Sequence, residues 1–254
     1  MSLVETELSD GVMTITLADE ARRNALSSDL TAELVAALDD ADHSDEVRVV
    51  VLTNRGSVFC AGANLAERSE SSGTGPVSGI NPLAIFGRFR HSPKPYVGKI
   101  AGHCVAGGMG LAAGLDITVA KASAKFGFTE VRVGVAPAMI SVVCLPKLRM
   151  ADAQSAFLRG NRFDAAEAAR MGLITQAVPD EELDDAVDEV VADLLLGEPA
   201  ALAAAKQLTV TVPTMDEQEA FRWTAELSGR LFASEEAKEG MTAFLEKRPP
   251  RWAS

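Results

Sequence analysis

Two glycine-rich stretches and one carboxylate in apolar company are the residues of this chain equipped for chemistry. Phe59-Cys60-Ala61-Gly62-Ala63-Asn64-Leu65 and Gly102-His103-Cys104-Val105-Ala106-Gly107-Gly108-Met109-Gly110 each lie between an apolar, strand-like run and a helix-like run. Turns of that kind expose backbone N–H groups at a helix start, where negative charge is stabilised. Downstream stands Phe128-Thr129-Glu130-Val131-Arg132-Val133. Two donor turns and one carboxylate imply an oxyanion hole with a single acid/base, which is the equipment for enolate chemistry on a thioester. With Phe126, Phe128 and Val131 as neighbours, Glu130 is expected to be buried, favouring its neutral form and easing proton exchange near neutral pH. A structural carboxylate paired with the adjacent Arg132 is the alternative.

Elements must hold these residues in place. Val12–Leu17 alternates, with Met13, Ile15 and Leu17 on one face, as a half-buried strand does. Ser28–Asp40 reads as an amphipathic helix with Leu30, Leu34 and Leu38 in step and Asp29 in its first turn. Val47–Thr53 is almost continuously apolar and suits a strand covered on both faces. The pattern recurs with Tyr96–Ala101 as a strand, Gly107–Gly114 as a short helix and Leu115–Ala120 as a strand. Strands alternating with helices predict an α/β fold with parallel pairing.

The Ser-, Gly-, Pro- and Thr-rich run Ser69–Pro82 is expected to be a loop, either a lid or acyl-chain contact or a plain surface segment. Asp180–Leu196 reads as an acidic helix with Leu183, Val187, Val190 and Leu194 inward, Asp180 as its N-cap and Gly197 as its stop. Pro199–Leu208, Met215–Phe232 and Glu235–Lys247 also read as helices, so the last part of the chain looks like an assembly or capping region.

The 254 residues suffice for a large core, and 47% hydrophobic with 24% charged residues is ordinary for a soluble globular protein. A net charge of −12 argues against nucleic acid and anionic membrane as partners. A small polyanionic ligand, needing only a few local cations and free amides, is still admissible. Cys60, Cys104 and Cys144 form an odd set without metal-like spacing and without a signal peptide, which predicts free thiols in a reducing cytoplasm. No apolar run approaches the ~20 residues of a membrane-spanning helix. His43, His91 and His103 show neither triad nor metal spacing, so no metal site is expected.

Across nearly its whole length the chain resembles the crotonase (enoyl-CoA hydratase/isomerase) superfamily. The likeness rests on Arg22-Arg23-Asn24-Ala25-Leu26, Phe59–Asn64, Ala106-Gly107-Gly108 with Asp116, Ala168–Leu173, and Glu239-Gly240-Met241 through Phe244-Leu245-Glu246-Lys247-Arg248-Pro249-Pro250. One glycine pair would be weak evidence, whereas these blocks in order are specific. The resemblance implies a crotonase-like ββα spiral core over residues 1–197, carrying the acyl-CoA site. It also implies a C-terminal helical region over 198–254 that assembles the chain into homotrimers, often paired as hexamers.

By motif, Ala63 and Gly107 would supply the two N–H donors and Glu130 would be the family's second catalytic glutamate. The first falls on Gly110, which can move no proton and is expected to widen the pocket or admit a water. Asp116 is expected to be structural. The family's Gly-rich turn after the catalytic glutamate is replaced by Ala136-Pro137-Ala138-Met139-Ile140-Ser141, whose larger Met139 and Ile140 should reshape the acyl pocket. The resemblance further implies a CoA site drawn from Arg22, Arg23, Ala25, Ala61, Ala63, Asn64, Leu65, Ala66, Gly107, Gly108 and Gly110. Phe244 and Lys247 would approach the nucleotide of a neighbouring subunit, although for each cation a solvated surface charge is the plainer reading. Coenzyme A would enter as part of the substrate, with no separate cofactor. The expected activity is hydration of a 2-enoyl-CoA in fatty-acid or branched-chain acid catabolism. A Δ3-Δ2-enoyl-CoA isomerase, for which one carboxylate suffices, and a non-catalytic acyl-CoA carrier are the alternatives.

Overall fold

The computed structural model describes residues 2–70, 81 and 83–253. Strand β1 (Val4–Ser9) turns through Asp10-Gly11, both at positive φ, into the antiparallel β2 (Val12–Leu17). An Asp-Gly pair is the sequence that such a two-residue hairpin turn demands. From β2 the large sheet continues through β3 (Val49–Asn54), β5 (Tyr96–Ile100), β7 (Ile117–Lys121) and β10 (Gln176–Val178), every one of these neighbours parallel.

A smaller sheet holds β4 (Val58–Cys60), β6 (His103–Val105), β8 (Lys125–Gly127) and β9 (Phe163–Asp164), parallel except for its last pair. The chain thus lays β3 then β4, β5 then β6, and β7 then β8 in alternate sheets, and each short strand leads into a helical segment. This is the expected ββα spiral. It carries α1 (Ser28–His43), α2 (Leu65–Glu70), α3 (Arg88–His91), α4 (Gly107–Gly114), α5 (Ala138–Cys144), α6 (Met150–Arg159) and α7 (Ala165–Arg170).

Local chemistry sets the boundaries. Ser27 Oγ accepts the Leu30 N–H and starts α1, whose Leu30, Leu34 and Leu38 are fully buried. The helix runs on to His43, one turn past the expected Asp40. Strand β7 starts two residues later than expected, because the Leu115 N–H closes α4 on Leu111 and the Asp116 N–H bonds the Tyr96 carbonyl. Apart from Ser69, Glu70 and Asn81, the run Ser69–Pro82 lies outside the described residues.

Beyond the spiral come α8 (Leu183–Leu196), α9 (Pro199–Thr211), α10 (Glu217–Phe232) and α11 (Glu235–Glu246). Helix α8 buries Leu183 and Val187 against Val49, Val51, Val97 and Val119 on the outer face of the large sheet, which explains why β3 is apolar on both sides. Asp180 is not its N-cap: the carboxylate accepts the Ser123 N–H at 3.0 Å and the Ser123 hydroxyl at 2.5 Å, and a 3-10 turn over Asp180–Glu182 intervenes. Gly197 does end α8, donating its N–H to Leu194. The C-terminal segment is tied back to β3 by Arg48, which donates to the carbonyls of Trp252 at 2.7 Å, Leu195 at 2.7 Å and Gly197 at 3.0 Å.

Candidate active site

The two glycine-rich turns interlock. Gly62 has φ +86°, and a Cβ there would stand 2.6 Å from Ala106 Cβ and 2.9 Å from Gly107 N, so only glycine fits. A Cβ on Gly107 would in turn lie 3.2 Å from Gly62 Cα, and one on Gly108 would lie 2.6 Å from the Cys60 carbonyl oxygen. The Gly62 carbonyl accepts the Leu26 N–H at 2.7 Å, in a parallel bridge between Leu26 and Ala63. Across the trans Gly62–Ala63 peptide, the Ala63 N–H is directed away from Leu26. Gly107 is the first residue of α4, where a backbone N–H has no acceptor inside its own helix.

The residue between the strand and that helix is strained. Ala106 sits at φ 49°, ψ −124°, a conformation that costs an L-residue on the order of 1–3 kcal/mol. It is held there by its N–H on the Gly127 carbonyl at 2.9 Å and by its own carbonyl accepting the Met109 N–H at 2.9 Å. The sequence carries no signal for this, since alanine is not the residue expected at such a backbone.

Glu130 follows three residues after Gly127, the β8 residue that pairs with Val105 beside the second turn. It opens a 3-10 turn, Glu130–Val133, closed by Gly134 at φ 83°. Phe126 and Phe128 are fully buried behind it, and the Phe128 and Phe157 rings lie 4.3 Å apart. Glu130 Oε2 is buried without a hydrogen-bond partner among the described residues. Burial pushes its carboxyl above the ordinary glutamate value of 4.5. Arg132 is not its partner, since that guanidinium reaches the Arg159 carbonyl at 3.5 Å. Val131, the third apolar neighbour, is exposed in the 3-10 turn, so Phe126 and Phe128 supply the buried surroundings.

Gly110 does not widen a pocket. A Cβ there would meet Ile140 Cγ2 at 2.4 Å and Phe86 Cδ1 at 3.0 Å, so α5 fills the space that glycine vacates. Ile140 is buried and Met139 half-buried, so of the two larger residues only Ile140 plugs this position.

The early loop meets the first turn directly. The Arg23 carbonyl accepts the Ala61 N–H at 3.2 Å, next to the Leu26–Gly62 bond, and Ala25 is buried beside them. Asn24, absent from the expected site, organises this contact: fully buried at φ 50°, its Nδ2 donates to the carbonyls of Val58 at 2.7 Å and Arg55 at 3.2 Å. Arg22 lies 3.5 Å from Asp19 with its side chain largely exposed. Asn64 is held by Glu67 at 2.9 Å and accepts the Ala66 N–H at 3.2 Å, while Leu65 and Ala66 are exposed at the start of α2. Phe244 is 83% exposed on α11 and Lys247 ends that helix at φ 56°. Within one chain, neither belongs to the contacts that join the turns to Arg22–Leu26.

Other reactive side chains have structural placements. Asp116 accepts the Tyr96 N–H at 2.8 Å and pairs with Lys206 at 2.7 Å. His103 Nδ1 accepts the Lys125 N–H at 3.1 Å. Cys60, Cys104 and Cys144 are free and buried, and burial pushes the Cys60 and Cys144 thiols up to about 12.

A mixed parallel spiral with two interlocked glycine turns and one buried carboxylate defines a protein class, and comparison with known proteins agrees. The sequence profile described as Enoyl-CoA hydratase/isomerase matches residues 7–254. The chain therefore belongs to the enoyl-CoA hydratase/isomerase family. It is 33% identical over 246 residues to Enoyl-CoA hydratase EchA19 of Mycobacterium tuberculosis, covering 94% of this chain and 91% of that protein. It is 32% identical over 263 residues to 1,2-epoxyphenylacetyl-CoA isomerase of Escherichia coli, covering 99% and 98%. The crystal structure of human enoyl Coenzyme A hydratase domain-containing protein 3 superposes with a TM-score of 0.93 at 26% identity, covering 98% of this chain and all of that one. Among the described residues no helix is long and apolar enough to cross a membrane.

Proposed function

We propose that this chain adds water to a 2-enoyl-CoA thioester in fatty-acid or branched-chain acid catabolism, with Glu130 as the one proton-transfer group. The observation that carries this is the Glu130 carboxyl: half-buried, with one oxygen unpartnered among the described residues, three residues past the strand that braces the second turn. The thioester oxygen would sit on the N–H groups of Ala63 and Gly107. As it gains enolate charge, donors already in place need no reorganisation, and one donor contributes about 3–4 kcal/mol. Glu130 takes a proton from water as its oxygen bonds C3, and the C2=C3 electrons move toward the thioester oxygen. The same carboxyl then returns a proton to C2.

Arg22, Arg23, Ala25, Ala61, Asn64, Leu65, Ala66, Gly108 and Gly110 would complete the acyl-CoA site with the two donors. Phe244 and Lys247 would reach the nucleotide of a neighbouring subunit in a homotrimer or a dimer of trimers. The division at residue 197, a cytoplasmic setting and the lack of any cofactor beyond the substrate's own CoA belong to the same reading.

A second reading, Δ3-Δ2-enoyl-CoA isomerisation, is favoured by one observation: position 110 has neither a carboxylate nor room for one. A non-catalytic carrier would have no use for a half-buried glutamate with one oxygen that no described residue satisfies. The deciding experiment is mass spectrometry of 2-enoyl- and 3-enoyl-CoA thioesters after incubation with the protein. Gain of water supports hydration, an unchanged mass with a shifted double bond supports isomerisation, and no change of either kind would leave only the carrier.

A further inference from the structure

Position 110 is closed by packing as well as by residue type. Helix α5 lies against α4, and a Cβ on Gly110 would stand 2.4 Å from Ile140 Cγ2, 2.9 Å from Ile140 Cβ and 3.0 Å from Phe86 Cδ1. Rotating Ile140 about χ1 cannot relieve this, because its Cβ is itself part of the clash and a β-branched side chain is stiff there. Ile140 and Phe86 are each only 3% exposed, so neither has solvent to move into. Gly110 is three residues along α4 from Gly107 and shares its side of the helix. At its far end α5 presents Cys144, whose Sγ lies 3.7 Å from the Met109 carbonyl. Ile140 therefore seals position 110 on the helix that the second glycine turn opens.

We propose that Ile140 is a specificity-determining residue that sets the balance between water addition and double-bond migration, by denying position 110 any side chain and so leaving Glu130 to move every proton alone. The proposal rests on Glu130 and the two turns being the thioester site. The two outcomes differ in what they require. Migration takes a proton from C2 of a 3-enoyl thioester and returns one at C4, so the double bond ends between C2 and C3 with no atom gained. Addition needs a water held at C3 while its proton leaves, and a second carboxylate at 110 would hold that water. Ile140 puts a hydrocarbon branch there instead.

The test uses the full-length chain as wild type, Gly110→Glu, Ile140→Ala and the double variant. Each is assayed on but-2-enoyl-CoA and hex-3-enoyl-CoA for water gain and bond migration, with thermal melting in parallel. Gly110→Glu alone is expected to melt earlier and to gain no hydration. The double variant is expected to recover most of that loss and to raise the ratio of addition to migration by about tenfold or more. A stable Gly110→Glu that gains hydration without any change at 140 would overturn the proposal, as would a folded double variant with the wild-type ratio. Should the glutamate pair not fold, Gly110→Asp with Ile140→Ala asks the same question with a shorter carboxylate. If wild type turns over neither thioester, the reading of the site fails by itself. Water addition appearing only in the double variant would then still support Ile140 as the block, and none in any of the four would overturn it.

Discussion

Among the described residues Glu130 holds a buried oxygen with no hydrogen-bond partner, so its behaviour should be separable from that of a structural carboxylate. Glu130→Gln keeps the shape and removes the titrating group, and is expected to lower kcat by at least about 100-fold with thioester affinity nearly unchanged. Calorimetric binding with single-turnover kinetics would check this, and wild-type turnover in the variant would remove the role. The sign of the pH effect follows from burial. The carboxyl is raised above 4.5, and its ionised form is the base, so kcat/KM should fall on the acid side at a pH above that ordinary value. In the folded state the ionised form is the disfavoured one. The glutamate's stability penalty is therefore absent below its unfolded pKa and complete above the raised one. Glu130→Gln should accordingly gain melting temperature relative to wild type at about pH 8, and lose that gain near pH 4. The carboxylate and both glycine turns were legible in the sequence because their residue types are uncommon in those surroundings. The seat of Ile140 against Gly110 and the bond from Asn24 to the Val58 carbonyl were not, since each joins segments far apart in the chain.

At the scale of elements, α9 is fastened through one ion pair. Lys206 Nζ reaches Asp116 at 2.7 Å and the Lys94 carbonyl at 2.7 Å, and Asp116 also accepts the Tyr96 N–H that starts β5. Burial pushes Asp116 up and Lys206 down, which their mutual attraction opposes without overcoming. Removing one partner strands the other, so Lys206→Met should cost about 3 kcal/mol in urea unfolding. Lys206→Met with Asp116→Asn should recover part of it, and a single variant as stable as wild type would show that the pair is dispensable. Long elements such as α1 and β3 could be read from periodicity. The small sheet could not, because β4, β6 and β8 have three residues each, too few for alternation to show, and they run straight into the turns they support.

At the scale of the molecule, one chain leaves much apolar surface uncovered. Phe221, Phe232, Phe244 and Leu245 on α10 and α11 are each more than two-thirds exposed, and Val142, Met150 and Leu158 on α5 and α6 are largely exposed as well. Surface of that kind marks contact with other chains. Sedimentation of the intact protein should therefore give a trimer or a hexamer. Deletion after Ser234 should reduce both the mass and the affinity for CoA, and a monomer with full CoA affinity would refute this.

The Arg48 tie has a consequence in time. Its guanidinium joins β3 to the Trp252 carbonyl across 204 positions of sequence. That bond must wait for Trp252 to leave the ribosome, so Arg48 can first engage only the carbonyls of Leu195 and Gly197. Until α8 has been made, Arg48 is unengaged and the valine face that Leu183 and Val187 cover is open to chaperones. Closure of that face would then mark the moment at which the newborn protein becomes resistant to proteases.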